Sequence, residues 1–448
     1  MTQAPGAPAE HTHTPKTSGI QFVGPDIPSL TDLQNCIHCG FCLPTCPTYV
    51  ATGQELESPR GRLHLIAAMR DGRIEATDRT LAHFDRCLQC RACETACPSA
   101  VPYGRIMEDA RASIMANAPS AQPTSWRLRA LALRHILIRP PVLRLLLSFG
   151  RFYSTSGIQR LARGPLRRLL PAPIARIESS IPVLSDTPFR TTGTLASPTD
   201  ASARVALLLG CMHGEMFPKM HEATVRVLAH AGCEVVAPEA QVCCGALHSH
   251  AGDAETARAL ARRNIAAFEA AGVDAVIVNA AGCGAAMKEY DRLLRNDPHW
   301  GPRAERFVET VKDVLEYVAE RDFTHDLGTV DETVTLQDAC HLAHAQKIRE
   351  APRRILRAIP GLRLEEMKTP DRCCGSAGIY SFVQPELSSQ ILDAKMTDVA
   401  GTGADVICTE NPGCTLQLQA GVIRTGMDAE VRHVIEVLDE AVRAGAAH

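Results

Sequence analysis

The sequence predicts a multidomain protein of α and α/β class, with an all-α N-terminal domain followed by two repeated α/β modules. Two observations lead to this prediction. A twelve-residue cysteine pattern occurs twice near the N-terminus, and forty residues separate the last cysteine of the first copy from the first cysteine of the second. In the C-terminal half, short segments recur at offsets of 129, 130 and 131 residues. Apolar strands there alternate with helical stretches, as in α/β modules with parallel sheets.

The doubled pattern is C-x2-C-x2-C-x3-C-P, over residues 36–47 and 87–98. This spacing is typical of cysteines that bind [4Fe–4S] clusters. In two-cluster ferredoxins the fourth cysteine of each run binds the other cluster. We therefore predict that cluster 1 is bound by Cys36, Cys39, Cys42 and Cys97, and cluster 2 by Cys87, Cys90, Cys93 and Cys46. Two neighbouring clusters predict a path for single electrons.

Zinc and disulfides are the alternatives for these cysteines. Zinc sites use two pairs of ligands, so the third cysteine and the proline of each run would be surplus. Residues 1–19 contain no apolar segment of the kind that a secretory signal needs. Eighteen cysteines in a chain without a predicted secretory signal indicate a reducing, cytoplasmic location, where thiols stay free to bind metal. A zinc-stabilised scaffold stays open as the rival interpretation.

The first compact unit is predicted over residues 25–116, after a disordered tail at 1–24 that is rich in Pro, Ala, Thr and Gly. The forty residues between the cysteine runs exceed what a small β-rich ferredoxin places there. Helices are expected at 62–70, after a Ser58-Pro59 start, and at 80–86. These features predict a helical ferredoxin domain.

Residues 117–203 are predicted to form a basic helical connector. Eleven arginines lie between Arg127 and Arg176, and no acidic residue lies between Asp109 and Glu178. Pro140-Pro141 should interrupt any continuous helix. The segment is either a basic amphipathic surface for an anionic membrane or acidic partner, or a pair of packed helices with solvated arginines. We expect a linker over its last part, residues 185–203.

Residues 204–330 and 331–448 are predicted to be the two cysteine-rich modules. In each module, cysteines follow short apolar strands, at the sheet edge where α/β proteins place their sites. Each module has four such cysteines: Cys211, Cys243, Cys244 and Cys283 in the first, and Cys340, Cys373, Cys374 and Cys414 in the second. They are candidate ligands for further metal sites, and an ordinary cube, another metal or no metal all stay open.

Several smaller features complete the prediction. Adjacent cysteines in a regular strand point to opposite faces, but Gly245 and Gly375 permit the turn that would bring them together. Cys233 and Cys408 are expected to be small buried apolar residues. His38 and Arg91, inside the cysteine loops, are expected to be solvated.

The composition excludes some functions. Aromatic residues make up 4% of the chain, which argues against base-stacking surfaces and hence against nucleic acid. The sequence contains no run of eighteen apolar residues, so no membrane-spanning helix is predicted. There is no G-x-G-x-x-G or Walker motif, so no flavin or nucleotide site is expected on this chain.

Several strings resemble the glycolate oxidase iron–sulfur subunit family. They are Cys39-Gly-Phe-Cys42, Cys46-Pro-Thr-Tyr49, Ser58-Pro-Arg-Gly-Arg62, Asp85-Arg-Cys87, Gly282-Cys-Gly284, Lys288-Glu-Tyr290, His344-Ala-Gln-Lys347 and Cys373-Cys-Gly-Ser-Ala-Gly378. The Cys-Cys-Gly motifs are also similar to those of heterodisulfide reductase, lactate-utilisation proteins and the iron–sulfur subunit of anaerobic glycerol-3-phosphate dehydrogenase. The modules depart from the fullest pattern at Ala280 and Asn411, where heterodisulfide reductase has a fifth cysteine.

The resemblance implies a role in an oxidoreductase complex. A flavin-containing partner subunit would oxidise glycolate to glyoxylate. This chain would pass the electrons to an acceptor, which is expected to be a quinone. It would then lie in the cytoplasm, peripherally on the inner membrane. The alternatives are the glycerol-3-phosphate dehydrogenase subunit and a catalytic subunit like heterodisulfide reductase.

Overall fold

A computed structural model describes residues 22–117, 122–171, 178, 181, 183–184 and 186–446. All but the last three residues of the predicted tail lie outside this range. Between residues 22 and 117 the described chain consists of helices and loops without a strand, which confirms the all-α prediction. The helices are Leu30–Gln34, Pro47–Thr52, Glu55–Glu57 (3-10), Pro59–Arg70, Asp78–Asp85, Ala92–Thr95 and Tyr103–Met115.

The Pro59–Arg70 helix begins as the sequence predicts. The Ser58 hydroxyl accepts a hydrogen bond from the Gly61 amide at 2.9 Å, and Pro59 occupies the first turn. Gly61 is required because a Cβ there would overlap the Glu55 carbonyl oxygen. The helix packs Ile66 against Phe84 and other buried side chains of this all-α core.

The connector is helical and lies against the rest of the chain. Its elements are Thr124–Ala132, a π-helical turn Leu133–Leu137, Pro140–Thr155, Ile158–Arg163 and a 3-10 turn Pro165–Arg168. Pro140 starts a helix instead of continuing one, because proline lacks the N–H that a helix interior needs. Buried Trp126 donates a hydrogen bond from Nε1 to the Asp85 carboxylate at 2.6 Å.

The first module contains a five-stranded sheet of order β1-β3-β2-β4-β5. Its strands are β1 Gly193–Ala196, β2 Ala203–Leu207, β3 Cys233–Ala237, β4 Ala275–Val278 and β5 Val311–Asp313. Its helices are His213–Met216, Pro218–His230, Ala246–His250, Ala254–Ala271, Ala281–Met287, Tyr290–Leu293, Gly301–Thr310 and Val314–Ala319.

Strand β1 corrects the prediction of a plain linker over residues 185–203, and with it that of an entirely parallel sheet. It pairs antiparallel with β3, whereas the other strand pairs of this sheet are parallel. The backbone groups at the edge of β3 need hydrogen-bond partners, and the adjoining chain supplies them. Four half-exposed residues carry too weak an apolar pattern to be recognised as a strand from sequence.

The second module contains a four-stranded parallel sheet of order β7-β6-β8-β9. This order repeats β3-β2-β4-β5, as the internal repeat predicts. Its strands are β6 Thr333–Leu336, β7 Arg363–Leu364, β8 Val406–Thr409 and β9 Glu430–His433. Its helices are a π-helical turn His341–Ala345, Glu350–Ala358, Tyr380–Val383, Pro385–Ala400, Pro412–Thr425 and Val434–Ala446.

The two modules share one hydrophobic core. Val205 and Leu207 of the first sheet belong to the same buried cluster as Val334 and Leu336 of the second. Across this junction Arg226 forms a bidentate ion pair with Asp439, at 2.7 and 2.8 Å. The modules are therefore packed as a single body, which fixes their cysteine loops relative to each other.

Candidate metal centres

The two cysteine loops of the all-α domain have the same backbone conformation. His38 and Gln89 occupy equivalent positions, and both have positive φ, at 57° and 52°. Gly40 and Arg91 are also equivalent, with φ of 87° and 62°. Left-handed residues at these two positions curl each loop so that neighbouring thiols turn toward one side. The doubled sequence pattern thus corresponds to a doubled structure.

The eight thiols surround two adjacent cavities, in the grouping that the crossed assignment expects. One cavity is lined by Cys36, Cys39, Cys42 and Cys97. The other is lined by Cys46, Cys87, Cys90 and Cys93. Cys93 also borders the first cavity, so the cavities are neighbours. Ligation by these residues stays a prediction.

A buried guanidinium lies beside the second cavity. The Arg62 side chain is 1% exposed and pairs with the fully buried Glu57 carboxylate at 2.8 Å. It also donates to the Thr48 hydroxyl at 3.2 Å, and that hydroxyl lies 3.3 Å from the Cys46 sulfur. His83 and Arg86 contact the same carboxylate. This network places positive charge next to the Cys46 thiol.

Several donors point at the cysteine sulfurs themselves. The Gln89 amide lies 3.4 Å from Cys87 Sγ, and the Val101 amide lies 3.5 Å from Cys97 Sγ. The buried Tyr103 hydroxyl donates to Cys87 Sγ at 3.5 Å. Hydrogen bonds to sulfur are one means by which proteins set the reduction potential of an iron–sulfur cluster.

Burial alone keeps the Cys42, Cys46 and Cys93 thiols protonated. It raises the pKa of Cys42 to about 11, and it raises the pKa of Cys46 and Cys93 as well. A bound cation reverses this, because metal charge stabilises the thiolate. The donor set therefore fits a metal group that supplies the missing positive charge.

The size of the thiol groupings distinguishes a cluster from a single ion. Within the described residues, no three His, Cys, Asp or Glu side chains converge as one bound metal ion requires. A four-iron cube is larger, and each of its cysteines binds a different iron atom. An iron–sulfur cube is held by soft thiolates spread around it in this way.

The four cysteines of the first module lie together at the carboxyl edge of its sheet. The Cys244 and Cys283 sulfurs are 3.1 Å apart. The Cys243 thiol accepts hydrogen bonds from the thiols of Cys211 and Cys244, which lower its pKa well below the usual value. Gly245 has a φ of 84°, so the backbone makes the predicted turn after the paired cysteines.

The second module repeats this arrangement and adjoins the second cavity. Cys340 lies within hydrogen-bonding reach of Cys373, and Cys374 of Cys414. Gly375 has a φ of 88° and makes the equivalent turn. The Cys90 thiol also reaches Cys373, and both side chains are buried in one cluster. A cysteine of the all-α domain thus contacts one of the Cys-Cys-Gly modules.

The two positions where a fifth cysteine is missing lie where the modules meet. Ala280 is buried, and Asn411 accepts a hydrogen bond from the Gly282 amide at 3.1 Å. The Asn411 amide group also lies 3.7 Å from Cys414 Sγ. The asparagine therefore connects the cysteine loop of one module to that of the other.

Sequence reasoning missed His248, which is fully buried beside the first-module cysteines. Its Nδ1 lies 3.1 Å from the Asp253 carboxylate, and its Nε2 has no hydrogen-bond partner among the described residues. A histidine oriented by a carboxylate in this way is a common arrangement near metals. The internal repeat did not single out this residue, because the equivalent position of the second module is Gly378 and not a histidine.

Two smaller expectations have different outcomes. Cys233 and Cys408 are fully buried in the shared core, as predicted. The prediction that Arg91 is solvated is wrong, because it pairs with Glu94 at 2.9 Å and with Glu289 at 2.5 Å. It links a cysteine loop to the first module, which the sequence does not reveal because the partner lies 198 residues away.

Comparison with protein-family models gives three matches along the chain. A 4Fe-4S dicluster domain matches residues 32–101, and a cysteine-rich domain matches residues 205–288 and 334–419. The linker region of the glycolate oxidase iron–sulfur subunit matches residues 127–181. Among the residues that the structure describes, no helix has the length and apolar character that a membrane crossing requires.

Whole-chain similarity extends these matches. The chain is 43% identical to the probable glycolate oxidase iron–sulfur subunit of Bacillus subtilis (strain 168), covering 92% of this chain and 94% of the relative. It is 34% identical to the glycolate oxidase iron–sulfur subunit of Escherichia coli (strain K12), with the same coverage. Lactate utilization protein A of an Exiguobacterium strain is 30% identical over 53% of this chain and 98% of its own length.

A solved structure shares the fold. A hypothetical protein from Helicobacter pylori superimposes with a TM-score of 0.56 at 10% identity, covering 89% of this chain and 71% of that chain. This likeness concerns the fold alone.

Proposed function

We propose that this chain, which belongs to the glycolate oxidase iron–sulfur subunit family, carries electrons from a flavin-containing partner subunit to a membrane quinone. The partner oxidises glycolate to glyoxylate, and this chain accepts the electrons one at a time. The observation that supports the proposal most strongly is the pair of adjacent cavities, each lined by the four thiols of one crossed grouping, with Cys93 bordering both.

Within this proposal the eight N-terminal cysteines bind two [4Fe–4S] clusters. Cys36, Cys39, Cys42 and Cys97 hold cluster 1, and Cys87, Cys90, Cys93 and Cys46 hold cluster 2. The buried Arg62 guanidinium and the N–H and O–H donors at the sulfurs favour the reduced, more negative state of cluster 2. No flavin site is assigned to this chain.

The second module extends the path. We place a further iron–sulfur centre at Cys340, Cys373, Cys374 and Cys414, because Cys90 of cluster 2 reaches Cys373 directly. Cys211, Cys243, Cys244 and Cys283 are the equivalent candidates in the first module, with His248 beside them. Cys373→Ser should lower the iron content of the chain, whereas Cys408→Ala should leave it unchanged.

The complex is expected on the cytoplasmic side of the inner membrane, where a quinone is accessible. The direct test uses the chain co-purified with its flavin-containing partner. Glycolate should reduce the flavin in both the wild type and a Cys90→Ser variant, but only the wild type should reduce a soluble quinone analogue. Equal quinone reduction by both would contradict the proposal, and reduction by glycerol-3-phosphate instead of glycolate would favour the alternative dehydrogenase.

A further inference from the structure

The Pro140–Thr155 helix exposes an uninterrupted apolar stripe. Val142, Leu145, Leu146, Phe149 and Phe152 are spaced so that they share one face of the helix. All five are exposed to solvent, with Phe149 at 66% and Phe152 at 65%. A core-packing helix would bury this face, so the stripe needs an explanation beyond folding.

The stripe continues onto the neighbouring elements of the connector. Of the twenty-two exposed large apolar side chains in the described residues, thirteen lie between residues 128 and 183. Besides Val183 and the five residues of the stripe, they are Leu128, Leu131, Ile136, Ile158, Leu161, Leu166 and Leu169. Single exposed apolar residues are ordinary, but a concentration of this kind marks an interaction site.

The opposite face of the connector is fixed to the rest of the chain. Arg151 pairs with Glu215 at 3.3 Å, and Arg134 pairs with Asp253 at 2.6 Å. Leu143 is buried on the inner side of the same helix. The helix therefore cannot rotate to bury its stripe without breaking these contacts.

The unpaired charges on the described helices of the connector are positive. Arg127, Arg139 and Arg160 are exposed and form no ion pair within the part of the chain that the structure describes. The sequence has no acidic residue between Asp109 and Glu178. We call these three arginines, together with the stripe and the seven apolar residues around it, the connector face.

We propose that the connector face docks on the surface of an anionic lipid bilayer. Leucine and phenylalanine side chains enter the boundary between headgroups and acyl chains, and the arginines contact lipid phosphates. A surface in which leucines and phenylalanines predominate and the unpaired charges are positive is typical of helices that lie in a membrane interface. This places the chain against the membrane without a spanning segment.

The test is co-sedimentation of the purified full-length chain with vesicles. Vesicles of equal parts phosphatidylglycerol and phosphatidylcholine should bind the wild type, and binding should weaken with added salt and on pure phosphatidylcholine. The double variant Leu145→Ser/Phe149→Ser should bind at least about tenfold more weakly. Phe382→Ser is the matched control, since Phe382 is 64% exposed on the second module.

A second variant keeps the test decisive if the double variant does not fold. Phe149→Trp should shift its fluorescence emission to shorter wavelength when anionic vesicles are added, because the indole enters the interface. No binding of the wild type to anionic vesicles, equal binding of the double variant, or an unshifted tryptophan would overturn the proposal. Vesicle binding needs neither glycolate nor the partner subunit, so its failure leaves the electron-transfer proposal untouched.

Discussion

At the scale of single residues, Arg62 is the charged group that most affects the second cavity. Its guanidinium is 1% exposed and is the buried partner of Glu57, whose carboxylate is itself fully buried. Removing one partner of a buried ion pair strongly destabilises the folded protein, because the charge that stays buried loses its compensation. The same positive charge lies near the Cys46 and Cys87 thiols.

Replacing Arg62 should therefore affect stability far more than replacing its neighbour Arg60. Arg62→Gln should lower the free energy of unfolding by up to about 3 kcal/mol, because Glu57 then keeps only its contacts with His83 and the partly exposed Arg86. Arg60→Gln, which removes a largely exposed pair with Glu55, should cost about 1 kcal/mol or less. Denaturant unfolding of the two anaerobically purified variants measures the difference, and equal losses would contradict the role of Arg62.

Cys90 is the residue at which the N-terminal domain meets the second module. Cys90→Ser should remove about four irons per chain, because a cube that loses one thiolate ligand is not retained. Cys233→Ala changes a cysteine that is just as buried but lies in the shared core, and it should retain the full iron content. Iron analysis of the two variants checks this, and full iron in Cys90→Ser would refute the assignment of that cysteine.

At the scale of secondary-structure elements, the Pro218–His230 helix carries a buried, neutral histidine. His221 is fully buried; its Nε2 lies 3.1 Å from the Leu209 carbonyl oxygen, and its Nδ1 lies 3.1 Å from the Asn279 amide nitrogen. Burial lowers the pKa of His221 to about 3, and His213 adds to the effect. The unfolded chain binds a proton at this side chain near pH 6.5, whereas the folded chain does not.

The native state should therefore lose stability as the pH falls through 6.5. Between pH 7.5 and 5.5 this histidine alone accounts for about 1.4 kcal/mol of lost stability. His221→Gln, which lacks a titrating ring, should show a correspondingly smaller loss over that interval. Exposed His64→Gln is the control and should follow the wild type. Denaturant unfolding at the two pH values measures these losses. An equal loss of stability in His221→Gln and in the wild type would contradict the role of His221.

Elements with a strong local signal could be predicted from sequence, and those that depend on partners could not. Pro140-Pro141 predicts an interruption between helices because proline is excluded from helix interiors. The cysteines after β2, β4, β6 and β8 follow visible apolar strands. Strand β1 escaped prediction because its only signal is the unpaired edge of β3. Asn411 also escaped, since its hydrogen bonds to the other module are contacts between distant residues.

At the scale of the whole molecule, the N-terminal domain is held against both modules. The Tyr380 hydroxyl donates to the Arg86 carbonyl oxygen at 3.0 Å, and His250 lies 2.8 Å from Glu108. Arg91 adds its ion pair with Glu289 of the first module. These contacts, with the core shared by the modules, fix the separation between the cysteine sites, as the proposed electron transfer would require.

The order of the parts was visible in the sequence, but their contacts were not. The doubled cysteine run and the 129–131-residue repeat are enough to predict the all-α domain and the two modules. The approach of Cys90 to Cys373 joins residues 283 positions apart, and nothing local to either one indicates it. The eight N-terminal cysteines could be singled out because their spacing is itself the chemical requirement.

The central claim is that the N-terminal cysteines hold two four-iron clusters. The most direct test is the content of iron and acid-labile sulfide per chain in anaerobically purified protein, with EPR spectra after reduction by dithionite. The claim predicts at least about eight irons and eight sulfides, with two interacting S = 1/2 signals, and any excess belongs to the Cys-Cys-Gly modules. A colourless protein with zinc and no sulfide would contradict it.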